Sequence, residues 1–141
     1  MRAPVLLDTA VQAAFDAFPQ IARRELLLAR QLIFEVVAAN PEIGDIVETL
    51  KWGQPSYLPK KPKIGSTLRL GVLKSKPDTA AIFFHCQTTL ISNFRQRYPG
   101  DFTFEGNRAL LCGHGIKPVA VQLRHCIAMA LTYHLQARSS N

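Results

Sequence analysis

No acidic residue occurs between Thr49 and Pro77. The same stretch carries Lys51, Lys60, Lys61, Lys63, Arg69, Lys74 and Lys76, which equal the whole formal net charge of +7 and leave the remainder of the chain near neutral. A basic stretch of this kind can meet phosphate, an acidic partner or an anionic ligand. It can also be a solvated strand edge whose lysines discourage edge-to-edge pairing, and the lack of an aromatic-rich nucleic-acid motif favours that plainer reading. Cysteine is scarce: Cys86, Cys112 and Cys126 are odd in number and widely spaced. That argues against a disulfide framework and fits three free thiols in a reducing, cytoplasmic setting. No run approaches ~18 uninterrupted apolar residues, so no membrane span is expected. The opening "MRAPVLLDTA" has too short an apolar run for a secretory leader.

Chemical signatures are missing as well. His85, His114, His125, His134 and the cysteines form no CxxC or HxxxH spacing. His85 and Cys86 are neighbours on an expected strand and His125 and Cys126 on an expected helix, so each pair diverges. No metal and no cofactor are expected. The serines stand in no G-x-S-x-G elbow, and "LCGHGIKP" fits neither a phosphate-binding loop nor a dinucleotide fingerprint. Glu105 and Arg108 flank a turn and read as a cross-strand ion pair. The chain therefore points to binding more than to catalysis.

What is present reads as one domain over residues 1–141, 48% hydrophobic and 19% charged. A chain of this size buries about 70% of its unfolded surface and needs no staples. Asp8 opens a short helix, and Gln20 to Ala39 reads as a longer one. Asn40-Pro41 reads as a helix start, with Ile43, Ile46, Val47 and Leu50 as its apolar stripe. The period changes after Trp52. "STLRLGVLK" alternates, with Thr67, Arg69 and Gly71 on one side and Leu68, Leu70 and Val72 on the other. "TAAIFFHC" is a strand-like apolar run, and "TTLISNFRQRYP" a short helix. "FTF" and "RALLCG" are strands joined at Gly106-Asn107, and Pro118 opens a long helix to about Gln136. The expected fold is α+β, two-layer: a mostly antiparallel sheet of about four to five strands, with N-terminal and C-terminal helices packed on one face.

The run "TLKWGQPSYL" concentrates the candidate site. Trp52 and Tyr57 would form an aromatic wall with Lys51 as an anion contact, and His85 and Arg108 complete the candidate ligand-binding set. Against that stands a structural reading in which Trp52 plugs a helix-to-strand corner. Removing its ring is then expected to be strongly destabilising, and removing the Tyr57 hydroxyl mild.

"KWGQPSY" after an N-terminal helix, with "FFHCQTT…FRQRYPGDFTFEGNRALL…LRHCIAMALTYHL" downstream, resembles the YdhG-like family of domains of unknown function over about residues 20–137. The resemblance implies a frataxin-like fold and, for some members, iron delivery. The reading that results is a small cytoplasmic protein that binds a small-molecule ligand or a protein partner, with no membrane association. A frataxin-like metal chaperone is one alternative, and nucleic-acid or anion binding through residues 49–77 is another.

Overall fold

The computed structural model describes residues 3–6 and 8–139. Helix α1 (Thr9–Ala17) starts where Asp8 Oδ1 accepts the amides of Ala10 and Val11 at 2.9 and 3.1 Å, a side-chain cap on amides the helix leaves unpaired. Helix α2 (Gln20–Ala39) buries Ala22, Leu26, Ala29, Ile33 and Val36, one stripe at helical spacing. Six strands follow: β1 (Ile46–Lys51), β2 (Gln54–Pro59), β3 (Leu68–Leu73), β4 (Lys76–Phe84), β5 (Thr103–Glu105) and β6 (Ala109–Cys112). Helix α3 (Leu90–Arg97) interrupts them after β4, and α4 (Ala120–Leu131) and α5 (Tyr133–Ser139) close the chain. The sheet order is β1-β2-β3-β4-β6-β5, and every neighbouring pair is antiparallel. Helices lie on one face, so the architecture is α+β with two layers.

Six strands replace the expected four or five because one predicted helix does not form. After Asn40 there is a single 3₁₀ turn, Pro41–Ile43, ended by Gly44 at φ 70°. Asn40 does not cap a new helix; its Nδ2 donates to Val36 O at 2.7 Å and closes α2. Ile46, Val47 and Thr49 are β-branched and stiff at χ1, which suits a pleated strand better than a helix. The residues taken for a helical stripe serve two faces: Ile46 and Leu50 pack on the helix-side core, and Val47 lies on the other side. Pairing of Lys51 with Gln54 then makes β2 the second strand of a hairpin.

The expected C-terminal helix is also divided. It starts with a 3₁₀ turn, Lys117–Val119, and breaks at Thr132. The segment between β2 and β3 causes the break. Ser66 N donates to Ala130 O at 2.8 Å, and Ile64 O accepts the amides of His134 and Leu135 at 3.1 and 3.2 Å. Gly65 is pressed so close that a Cβ there would stand 2.0 Å from Leu131 O.

The main core lies between helices and sheet and includes Phe15, Tyr57, Phe84 and Phe94, with Phe84 and Phe94 edge-to-face at 5.1 Å. Cys112 and Cys126 are buried in it as free thiols, and Cys86 is exposed. Burial first, then the charge of Glu25, pushes Cys112 up to about 12; burial, then Cys112, does the same for Cys126. Among the described residues no helix is long and apolar enough to cross a membrane.

Candidate functional site

The face of the sheet away from the helices is uncovered. Register places Ser56, Arg69, Phe83, Ala109 and Glu105 side by side across five strands of it. Ala81, Phe83, Ala109, Leu111 and Leu73 form a second, small apolar cluster there. None of the described helices covers Phe83, yet it is only 5% exposed. The guanidinium carbons of Arg69 and Arg108 lie 5.8 and 5.9 Å from its ring centroid and roof it.

Neither arginine has an acid partner among the described residues. Among the described residues the ion pairs are Arg30–Glu48 and Arg124–Glu35, so Arg108 does not form the expected pair with Glu105. Ring stacking beside a second cation is what holds it. Burial, then the charge of Arg108, draws the Arg69 pKa below its ordinary value, with Cys86 opposing. The charged form of Arg69 is thus poorly compensated, and an arriving anion would relieve it.

The β1–β2 hairpin supplies the other wall. Lys51 pairs with Gln54 across a two-residue turn, Trp52-Gly53, with φ of 56° and 75°. Positive φ at both central residues defines a type I′ turn, which prefers Asn-Gly, Asp-Gly or Gly-Gly. A tryptophan in this left-handed conformation costs of order 1–3 kcal/mol. It recovers nothing by burial, because Trp52 is 89% exposed. This corrects the plug reading: Trp52 stands at a hairpin tip and does not fill a corner. Gln54 lies over Gly71, where a Cβ would meet its Nε2 at 2.6 Å and the Phe83 ring at 3.1 Å. Its Oε1 is buried without a hydrogen-bond partner among the described residues.

Two cavities adjoin on this face. The larger, about 670 Å³, is lined by Trp52, Gln54, Val72, Leu73 and Phe83 with Arg69, Arg108 and Lys74. The smaller, about 190 Å³, is lined by Lys51, Trp52, Thr67, Arg69 and His85. Against family models, curated proteins and solved structures, the chain finds no match.

Of the five candidate residues named from the sequence, Lys51, Trp52, His85 and Arg108 line these two cavities. Tyr57 does not. It alternates onto the helix side and is fully buried, so the proposed Trp52–Tyr57 wall is not built. The Tyr57 hydroxyl donates to Glu48 Oε2 at 2.6 Å, and Arg30 Nε and Nη2 donate to the same carboxylate at 2.5 and 3.0 Å. Burial, then the Glu48 hydrogen bond and charge, pushes the Tyr57 phenol far up. Burial works to lower the Arg30 pKa, but its hydrogen bonds and attraction to Glu48 outweigh that and raise it. Gln54, Thr67, Arg69, Val72, Leu73, Lys74 and Phe83 line the cavities and are absent from the sequence-based set. Alternation had placed Thr67, Arg69 and Gly71 together opposite the core residues, which was the available signal. Phe83 was hidden inside a continuous apolar run.

Proposed function

We propose that this protein is a binding module whose ligand is a small anion seated on the open face of the sheet, between the hairpin tip and the Arg69–Arg108 pair. One observation carries the reading: an exposed tryptophan held in an unfavourable backbone conformation beside two arginines with no acid partner among the described residues. Strain without stabilising return is characteristic of residues kept for what they touch from outside. The larger cavity lies within the usual range of about 300–1,000 Å³ for ligand pockets. The acid-free stretch gives the face its sign. A track for a long nucleic acid has less support, because Lys60, Lys61 and Lys63 lie in the β2–β3 loop, at the opposite end of β2 from the hairpin tip. The iron-carrying role implied by the YdhG-like resemblance has less support too. Among the described residues no three His, Cys, Asp or Glu side chains are grouped to hold a metal, and this face is cationic.

A thermal-shift screen of small carboxylates, sulfonates and phosphates tests the proposal. A ligand at a hundredfold excess over its Kd should stabilise by about 2.7 kcal/mol. Trp52→Asn and Arg69→Gln should abolish the shift while leaving the unliganded protein folded. Stabilisation by ferrous iron, with none by anions, would favour the metal-carrier reading instead.

A further inference from the structure

The two cavities differ in chemistry, and Trp52 and Arg69 line both. The smaller is a pocket of donors. Lys51 offers an ammonium, Arg69 a guanidinium and Thr67 a hydroxyl, and no acid lines it. His85 Nδ1 accepts the Gln87 amide at 3.1 Å, so a neutral ring carries its proton on Nε2 and still has an N–H to donate. At about 190 Å³ this cavity is too small to hold an ordinary organic ligand by itself. It has room for a charged head group. Two cationic side chains with a hydroxyl and an imidazole N–H match the three terminal oxygens and near-double charge of a phosphate monoester. The larger cavity is different: Val72, Leu73 and Phe83 contribute apolar surface, and the Trp52 ring is free to stack.

We infer that both cavities serve one ligand, an organic phosphate monoester with a flat aromatic or heteroaromatic body, of about mononucleotide size. The phosphate occupies the pocket of Lys51, Thr67, Arg69 and His85. The body lies against Trp52 above Val72, Leu73 and Phe83. This rests on the anion-binding reading of the open face and narrows it to one ligand class. Arg69 reaches both compartments, so it joins recognition of the head to recognition of the body.

The test uses the full chain with anilinonaphthalene sulfonate, an aryl anion whose fluorescence rises when it is bound. Its binding, and the loss of that binding in Trp52→Asn, reports the open-face anion site. Competition then reports the ligand class. The common nucleoside monophosphates should displace the dye at least tenfold more effectively than the matching nucleosides or inorganic phosphate. Lys51→Ala, at an exposed position, should shrink that preference, read as the ratio of nucleotide to nucleoside competition, a ratio that does not depend on how tightly the dye itself is held. If the dye binds in a Trp52-dependent manner but nucleosides compete as well as their phosphates, the phosphate assignment is overturned and the anion site stands. If a short single-stranded oligonucleotide competes far better than any mononucleotide, the small-molecule assignment is overturned. If neither dye nor nucleotide binding depends on Trp52 or Arg69, both readings fail.

Discussion

On the helix-covered face of the sheet, buried Arg30 is held by Glu48, and Glu48 in turn by Tyr57. On the open face, Arg69 and Arg108 share one phenylalanine ring and no carboxylate. The same sheet thus carries cations in opposite states. One is desolvated and fully satisfied, and it fastens α2 to β1 and β2. Of the other two, Arg69 is half-buried and Arg108 exposed, and neither has an acid partner among the described residues. Stability is concentrated on the covered face, which leaves the open face free to carry a strained tryptophan and a like-charged pair. Substitutions on the two faces should therefore differ in size and in sign.

The largest effect is expected at Gly65, which meets the backbone of Leu131 from the covered side. Gly65→Ala should cost about 4 kcal/mol or more, at the far end of single-site effects, because the new methyl would meet the backbone of Leu131 and no side chain that could swing aside. Gly71→Ala is the control on the open face. Its nearest obstacle is the mobile end of the Gln54 side chain, so circular dichroism should show a folded protein there and a largely unfolded one for Gly65→Ala.

Glu48→Ala comes next. It leaves Arg30 buried without a partner, and urea unfolding should show a loss of about 3–5 kcal/mol. Replacing both, Arg30→Met with Glu48→Leu, should cost less than the single change. A double variant as unstable as Glu48→Ala would mean that the pair is not desolvated as described.

The buried thiols give a pH test of the same face. Their folded pKa of about 12 lies above the ordinary thiol value of 9.0, so between those limits the unfolded chain has lost protons that the folded one keeps. Stability must then fall as pH rises, by about 1.4 kcal/mol per unit per thiol. From pH 8 to pH 10 the two together should remove about 2–3 kcal/mol. A Cys112→Ala, Cys126→Ala variant should show a flatter profile in denaturant titrations at each pH; an unchanged slope would assign the loss to other groups.

Tyr57→Phe should cost about 1–3 kcal/mol by leaving part of the Glu48 carboxylate unsatisfied. The smallest effect, with the opposite sign, is expected at the hairpin tip. Trp52→Asn creates the Asn-Gly pair that a type I′ turn prefers, so stability should be unchanged or raised by up to about 1 kcal/mol. A lowered melting temperature for Trp52→Asn together with an unaltered one for Tyr57→Phe would restore the plug reading and reverse the comparison.

Most of the layer architecture was legible because periodicity reports which face is buried. Helix α2, strands β3 and β4, helix α3 and the β5–β6 hairpin could be read from spacing and turn residues. Residues 41–51 could not. Ile43, Ile46, Val47 and Leu50 fit a helical stripe; the β-branched Ile46, Val47 and Thr49 lean toward a strand, and pairing with β2 decides it. Proline at both Pro55 and Pro59 hid β2, since proline is a weak strand signal. The site was legible as composition, in the acid-free stretch and the lone tryptophan. The face on which Tyr57 lies depended on the β1–β2 register, which spacing alone does not supply.

The clasp between residues 64–66 and the C-terminal helices has a consequence for the order of folding. Ser66 and Ile64 find their partners at Ala130, His134 and Leu135, in the far half of the chain. During synthesis the β2–β3 connection emerges long before the groups that receive it. Until then Ser66 N–H and Ile64 C=O have only water, and the edge hairpin has a loose return to the rest of the sheet. Contacts between distant parts of a chain slow the search for the native state. A ribosome-bound chain halted before Ala130 should therefore leave this connection sensitive to protease, and release of the last helices should close it in a single late step.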